Sequence, residues 1–224
     1  MQLSSIFTSE VNQMILLGIV NTLKMTVFST LFGYLFGLPM GIALSVCDKD
    51  GLRPNRVVYK ILDVISNIFR SIPFLILLIL LIPFTRFIIG KSYGPTATIV
   101  PLTVAAIPYI GRLVESSIKE VDPGVIEAAK AMGATNRQII MHVLLVEART
   151  SLVINATIAT ATILGYSAMA GAVGGGGLGD IAVQYGYYRW QTEIMIVTVI
   201  LLILLVQMFQ TIGMYTANRI DRRK

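Results

Sequence analysis

Asp122-Pro123-Gly124-Val125-Ile126-Glu127-Ala128-Ala129-Lys130-Ala131-Met132-Gly133-Ala134-Thr135-Asn136-Arg137-Gln138 lies inside the one long polar interruption of an otherwise apolar chain. Asp122 suits a helix N-cap, and Pro123 suits the first helical position, where an N–H would have no intrahelical partner. Gly133 can end that helix in a left-handed turn, which a Cβ disfavours. Thr135 followed three residues later by Gln138 reads as a capping box opening a second helix. The expectation is two short helices joined at Gly133-Ala134, a stiff elbow standing out of a membrane.

The membrane follows from composition. The chain has 224 residues, 55% of them hydrophobic and 13% charged, with a mean hydropathy of +0.76. A soluble domain carries about 25% charged residues. Apolar runs extend from end to end, so one integral membrane domain over residues 1–224 is expected. Leu3 to Leu23 mixes Ile6, Phe7, Val11, Met14, Ile15 and Leu17 with polar residues and reads as an interfacial amphipathic stretch. Uncharged runs then place spans at about 25–47, 71–89, 92–111, 152–172 and 194–218, with a cytoplasmic loop at about 116–148. The second run carries Pro73 and Pro83 and reads as a kinked helix; the third reads as broken by Pro95, Pro101 and Pro108. Gly174 to Gly177, continuing to Asp180, reads as a flexible loop.

Between the first two spans, Val58, Ile61, Leu62, Ile65, Ile68 and Phe69 recur with helical period, and Arg56, Lys60, Asp63, Asn67 and Arg70 form the opposite stripe. Such a stripe is either a headgroup-facing surface or a lining for the cytoplasmic end of a path, running through Asn67 to Ser71. Orientation comes from Lys and Arg. Residues 47–70 carry five, 112–149 five and the tail four, against Arg86, Lys91 and Arg189 on the other side. With five spans this puts the N-terminus outside and the C-terminus in the cytoplasm. It also accounts for the net charge of +6 without nucleic acid.

Several chemistries are excluded by what is missing. Gly90-Lys91-Ser92 looks like the end of a P-loop, but Thr85 stands where the first glycine is needed and no strand precedes it. Gly165-Tyr166-Ser167-Ala168-Met169 lacks the last glycine of a nucleophile elbow, and the sole histidine, His142, is on the cytoplasmic side. One cysteine, Cys47, and one histidine cannot make an all-protein His/Cys zinc site or an internal disulfide. Met1 to Gln13 lacks a basic n-region and a small-residue cleavage site, so no cleaved signal peptide is expected. The chain reads as neither an enzyme nor a metal protein.

Glu127-Ala128-Ala129, three residues, Gly133, nine residues, Val143-Leu144-Leu145 closely resembles the EAA loop of ATP-binding-cassette (ABC) importer permeases. That family usually has Ile first and Pro last in the final segment. Here Val143 and Val146 stand instead, which leaves the exit angle of the second helix open. Phe69-Arg70-Ser71-Ile72-Pro73-Phe74, Ile82-Pro83-Phe84-Thr85-Arg86, Val100-Pro101-Leu102-Thr103-Val104 and Gly165-Tyr166-Ser167-Ala168-Met169-Ala170-Gly171-Ala172-Val173-Gly174 are similar to the methionine-uptake branch. The resemblance implies an all-α type I importer permease fold of five transmembrane helices with cytoplasmic coupling helices, in the bacterial inner membrane. It implies a homodimer of this chain, two cytoplasmic ABC ATPase subunits that hold ATP and Mg, and an external methionine-binding lipoprotein. No cofactor is expected in this chain.

On the same resemblance, Glu127, Ala128, Ala129, Met132, Gly133 and Ala134 couple to the ATPase, and Met169, with Tyr166 and Ser167 beside it, belongs to the outward gate of a path that Asn67 and Ser71 help line. Read without it, Met169 is a flexible filler at a helix end. The function implied is ATP-driven import of methionine, the L form with the D form as an extension, by alternating access. A permease for another small amino acid or related solute is the nearest alternative, and a passive channel is the alternative from another class.

Overall fold

The structure, a computed structural model, describes residues 9–221, and among these only helices and turns occur. In order they are α1 (Ser9–Cys47), α2 (Arg56–Ser71), α3 (Phe74–Leu80), α4 (Ile82–Ile89), α5 (Pro95–Lys119), α6 (Pro123–Ala131) and α7 (Asn136–Gln138). A π-helical segment (Ile139–Leu144), α8 (Leu145–Glu147), α9 (Arg149–Ala170), a 3-10 turn (Gly171–Val173), α10 (Gly177–Ile181), a second π-helical segment (Ala182–Tyr187) and α11 (Thr192–Ile220) complete the chain. Ser9–Cys47, Pro95–Lys119, Arg149–Tyr187 and Thr192–Ile220 are long and apolar enough to cross a membrane, and α2 with α3 makes a fifth span if the broken pair is one crossing. The described residues fall into two compact units.

The first unit comprises the described parts of Met1–Phe32, Ile72–Ala105 and Thr160–Phe209. Its packing corrects two expectations. Residues 9–23 are not a separate interfacial helix but the start of α1, 39 residues and about 58 Å long; residues 3–8 lie outside the described residues. Ser9, Glu10, Asn12 and Gln13 are exposed, but Thr22 is buried and serves packing. Thr22 Oγ1 donates to the Gly18 carbonyl at 2.9 Å and accepts from the Leu178 amide at 2.9 Å. Nor is the glycine run a flexible loop. Gly175, Gly177, Leu178 and Gly179 are buried, Thr98 Oγ1 donates to the Gly94 and Gly175 carbonyls at 3.0 and 3.3 Å, and Gly94 N–H donates to Gly174 O at 2.9 Å. A Cβ on Gly177 would stand 2.6 Å from Thr22 Oγ1. The glycines serve close approach and, at Gly174, Gly176 and Gly177, positive φ of 77°, 79° and 78°, uses that sequence cannot distinguish from mobility.

The prolines also differ from expectation. Pro73 is the residue before α3, and its carbonyl accepts from Ile76 and Leu77. Pro83 is in the first turn of α4, where no amide is required. The expected kinked span is therefore two short helices, broken at Ile72-Pro73 and at Leu81. Conversely, Pro95 opens α5, and Pro101 and Pro108 sit inside it without breaking it. Gly90, the supposed P-loop remnant, is the left-handed C-cap of α4, its N–H donating to Arg86 O.

The second unit comprises Gly33–Ser71, Ala106–Ala159 and the described part of Gln210–Lys224. Its centre is a stripe of small residues on α1, Gly33, Gly37 and Gly41, laid against α5. In lipid no hydrophobic force drives helices together, so close backbone contact has to do so. A Cβ on Gly37 would lie 2.9 Å from the Ile107 carbonyl oxygen, and one on Gly41 would lie 2.5 Å from that of Gly111 and 2.6 Å from Val114 Cβ. Leu44, Ile110 and Val114 close over this seam, fully buried. Elsewhere on α5, Asn155 Nδ2 of α9 donates to Ser117 Oγ at 2.7 Å and to the Leu113 carbonyl at 3.3 Å. Gly41→Leu should destabilise the detergent-purified chain by about 1–3 kcal/mol, the usual cost of overpacking. Gly165→Ala, where a Cβ meets nothing within 4 Å, should leave thermal unfolding unchanged or raise it.

Candidate functional site: the cytoplasmic elbow and the end of α9

The elbow forms as its caps dictate. Asp122 accepts from Gly124 N–H at 2.7 Å, and Pro123 opens α6. At the other end Gly133 has φ +80°, its N–H donates to Lys130 O at 3.0 Å, and Ala134 N–H donates to Ala129 O at 3.1 Å. These two bonds are the full Schellman pattern, which satisfies the last carbonyls of the helix. Thr135 N–H donates to Gln138 Oε1 at 2.8 Å while Gln138 N–H donates to Thr135 Oγ1 at 3.4 Å, so the capping box is closed. Glu127, Ala128, Met132 and Gly133 are exposed, Ala134 is half-buried, and Ala129 turns inward and is buried.

Met132 is 81% exposed at the tip, with Val125 and Met141 also in the open. An apolar, protruding surface on an otherwise polar elbow suits contact with another protein. Sequence reading missed Val125 and Met141, although an apolar residue inside a polar interruption was the available signal. The second arm does not stop as a short helix. In place of a proline at Val146, α7 runs through the π-helical Ile139–Leu144 and α8 to Ala148, whose N–H donates to Leu144 O at 2.9 Å, and then into α9. With every amide available, the chain stays helical, and the extra residue of the π segment re-aims it.

The elbow hangs from a chain of charges that sequence reading did not connect. Arg112 of α5 uses all three guanidinium nitrogens. Nε donates to Ser66 Oγ at 3.2 Å, Nη1 to Glu115 Oε2 at 2.8 Å, and Nη2 to Asp63 and, at 3.2 Å, to Asn67 Oδ1. Glu115, 4% exposed, also accepts from Lys119 Nζ at 2.8 Å, and Lys119 reaches Asp48 at 2.6 Å. Asp48, Lys119, Glu115, Arg112 and Asp63 thus alternate in sign from the turn after α1 to α2, one turn before the elbow begins. The α2 stripe is divided by this network: Asp63 and Asn67 join it, while Arg56, Lys60 and Arg70 remain exposed. Asn67 and Ser71 are linked on α2, Ser71 Oγ donating to Asn67 O at 2.7 Å.

At the end of α9, in the first unit, Tyr166 stacks on Phe74 with ring centroids 4.5 Å apart and planes 3° from parallel. Ser167 is buried and its hydroxyl donates to Leu164 O at 2.7 Å. Met169, 55% exposed, projects from the last turn. These three share one helix end and hold no acid–base constellation. Asn67 and Ser71 belong to the second unit.

Glu115 stands between two cations in a buried site, and removing one member of such a set leaves the others unpaired. Glu115→Ala should cost about 3 kcal/mol or more, and Glu115→Gln less, because the amide keeps an acceptor; thermal unfolding in detergent measures both. The hydrogen bond from Lys119 holds the Asp48 carboxyl below its ordinary value. A depressed carboxylate stabilises the fold above its unfolded pKa, and the contribution is lost as pH falls through the folded value. The difference between the native chain and Asp48→Asn should therefore vanish on acidification below the carboxylate range.

Comparison with known proteins agrees with this geometry. Residues 33–224 match the family described as "Binding-protein-dependent transport system inner membrane component". The chain is 49% identical over 184 residues to the probable D-methionine transport system permease protein MetI of Vibrio cholerae, covering 82% of each. It is 41% identical over 180 residues to the methionine import system permease protein MetP of Bacillus subtilis, covering 80% of this chain and 81% of that one. A chain from the structure "Inward facing conformations of the MetNI methionine ABC transporter: CY5 native crystal form" superposes with a TM-score of 0.95 at 46% identity, covering 96% of this chain and 100% of that one. An amino acid ABC transporter solved with histidines shares the fold, with a TM-score of 0.80 at 20% identity. A helical membrane chain with this elbow, matched over most of its length, belongs to the family of inner membrane components of binding-protein-dependent transport systems.

Proposed function

We propose that this chain is the membrane-spanning subunit of an ATP-driven methionine importer. The observation that carries the reading is the superposition on a chain of the MetNI methionine ABC transporter across 96% of the sequence, together with an elbow whose caps are all formed. On this reading residues 1–224 act as one permease domain, and two copies enclose the path, since five helices are too few to surround a solute alone. Two cytoplasmic ABC ATPase subunits carry ATP and Mg and perform the hydrolysis, so this chain itself is not an enzyme. An external methionine-binding lipoprotein delivers the substrate. The names of the relatives, which print D-methionine or methionine, support methionine over another small amino acid.

The elbow is the coupling surface, with Met132 and the exposed faces of Glu127, Ala128 and Gly133 seated on the ATPase. Moving an inward–outward equilibrium from 1:99 to 99:1 takes about 5.5 kcal/mol of differential interaction. Such a load needs a lever that does not fray, and the Schellman and capping-box bonds supply that stiffness. Gly133→Leu meets no neighbour at its Cβ, so its cost is the left-handed backbone, about 1–2 kcal/mol, plus obstruction of the docking face. The variant should insert and fold yet lose ATP-dependent uptake. Normal uptake by Gly133→Leu would remove the elbow as the coupling element, and uptake without any ATPase would favour a passive channel.

Met169 closes the outward end at the two-fold axis. Two thioethers meeting there form a small apolar plug that repacks at little cost. The packed glycine turn behind it, rather than a loose loop, means that the end of α9 moves as a body. With Cys47 replaced by Ser, Met169→Cys should cross-link between protomers at rest and less so with ATP bound. A dimer that never cross-links through position 169, in any nucleotide state, leaves Met169 as a packing residue.

A further inference from the structure

The outer connection between α10 and α11 carries Tyr187, Tyr188 and Trp190, all exposed, and Trp190 is 85% so. Exposure of so much aromatic surface is unfavourable in water. The backbone beneath them is not loose. Gln191 N–H reaches back to Tyr185 O at 3.1 Å, Tyr188 N–H donates to Val183 O at 3.0 Å, and the Arg189 guanidinium lies 4.3 Å from the Tyr185 ring centroid. Tyr187 and Tyr188 meet edge to face at 5.3 Å. Trp190 has φ +58°, a conformation that a residue with a large side chain adopts rarely. A pinned backbone that holds a bulky ring outward in a disfavoured conformation points to something for the ring to meet.

Continuity identifies the occupant. Trp190 stands two residues before α11, whose exposed face continues through Ile196, Val199, Ile200 and Ile203. As far as Leu204 that face is apolar, as a lipid-facing surface is, and exposed Gln207 and Gln210 continue it toward the other end. α11 has 29 residues and is about 43 Å long, against about 30 Å of hydrocarbon core, so its ends reach the headgroup layers. The far end carries a similar device, Arg219 5.5 Å from the Tyr215 ring. Aromatic rings with a polar edge favour that boundary, where one side is apolar and the other wet.

We propose that Tyr187, Tyr188 and Trp190 form an interfacial anchor that seats the outer end of α11 in the headgroup layer of the outer leaflet, with the Trp190 indole at the level of the glycerol backbone. The occupant is phospholipid, not an external protein. The inference needs α11 to cross the membrane but does not depend on methionine or on the elbow.

Trp190 is the only tryptophan in the chain, so the emission of the full-length protein reports this site alone. The chain is reconstituted in phosphatidylcholine vesicles with bromine at shallow or at deep acyl positions, and iodide is supplied on both sides. Shallow bromine should remove most of the emission, deep bromine distinctly less, and iodide little. Trp190→Phe should abolish the signal. Strong quenching by iodide with none from bromolipid would place the ring in water, free for a protein partner, and overturn the anchor. Quenching by neither would bury it in a contact between copies of the chain, and also overturns it. A deep-bromine preference would put the ring in the hydrocarbon, which the proposal does not allow.

Discussion

A carboxylate buried between two cations organises the cytoplasmic half of this protein. Glu115 holds Arg112 on one oxygen and Lys119 on the other, and those cations in turn hold Asp63 and Asp48. Isolated, the Glu115 carboxylate would be costly at its buried position. Alternating in sign, with Ser66 and Asn67 completing the guanidinium, these charges let α5 carry its helix past the apolar seam to Lys119. The elbow starts three residues later. Its orientation is therefore set by α5, by α2 and by the turn after α1 together.

The rest of the packing uses small residues and hydroxyls instead of bulk. The α1–α5 seam is made of Gly33, Gly37 and Gly41, and the α5–α9 contact of Ser117, Ser151 and Asn155. Where lipid is as apolar as leucine, shape and hydrogen bonds decide which helices associate. The large apolar side chains are correspondingly turned outward on α1 and α11. On the proposed reading, the same economy suits a protein whose halves must change position. Backbone-to-backbone seams can stay rigid within a half, while the lipid-facing surface forms no such seam.

The elbow is the clearest case in which local chemistry was decisive. Asp122, Pro123, Gly133, Thr135 and Gln138 fix their bonds with residues at most a few positions away, so caps and turn were legible in sequence. The same holds for the all-helical class, for the existence of the apolar helices and for the family, whose marks lie in contiguous strings. The orientation of the elbow's second arm was not legible, because it depends on the π segment at Ile139–Leu144 and on what that segment packs against.

Sequence alone therefore determined what is encoded within a turn or two of helix: hydrophobic length, caps, and the motif that carries the family resemblance. Tertiary structure decided what depends on residues distant in the chain. It turned Thr22 and the glycine run from surface and loop into packing, through contacts 156 residues apart. It made Pro73 and Pro83 flank helix starts, while Pro101 and Pro108 stayed inside one helix. It joined Asp48, Asp63 and α5 into one charge chain, although their spacing in sequence has no period to betray it. The physical reason is that a glycine, a proline or a charge has several low-cost uses locally, and only the neighbour that the fold brings up selects among them.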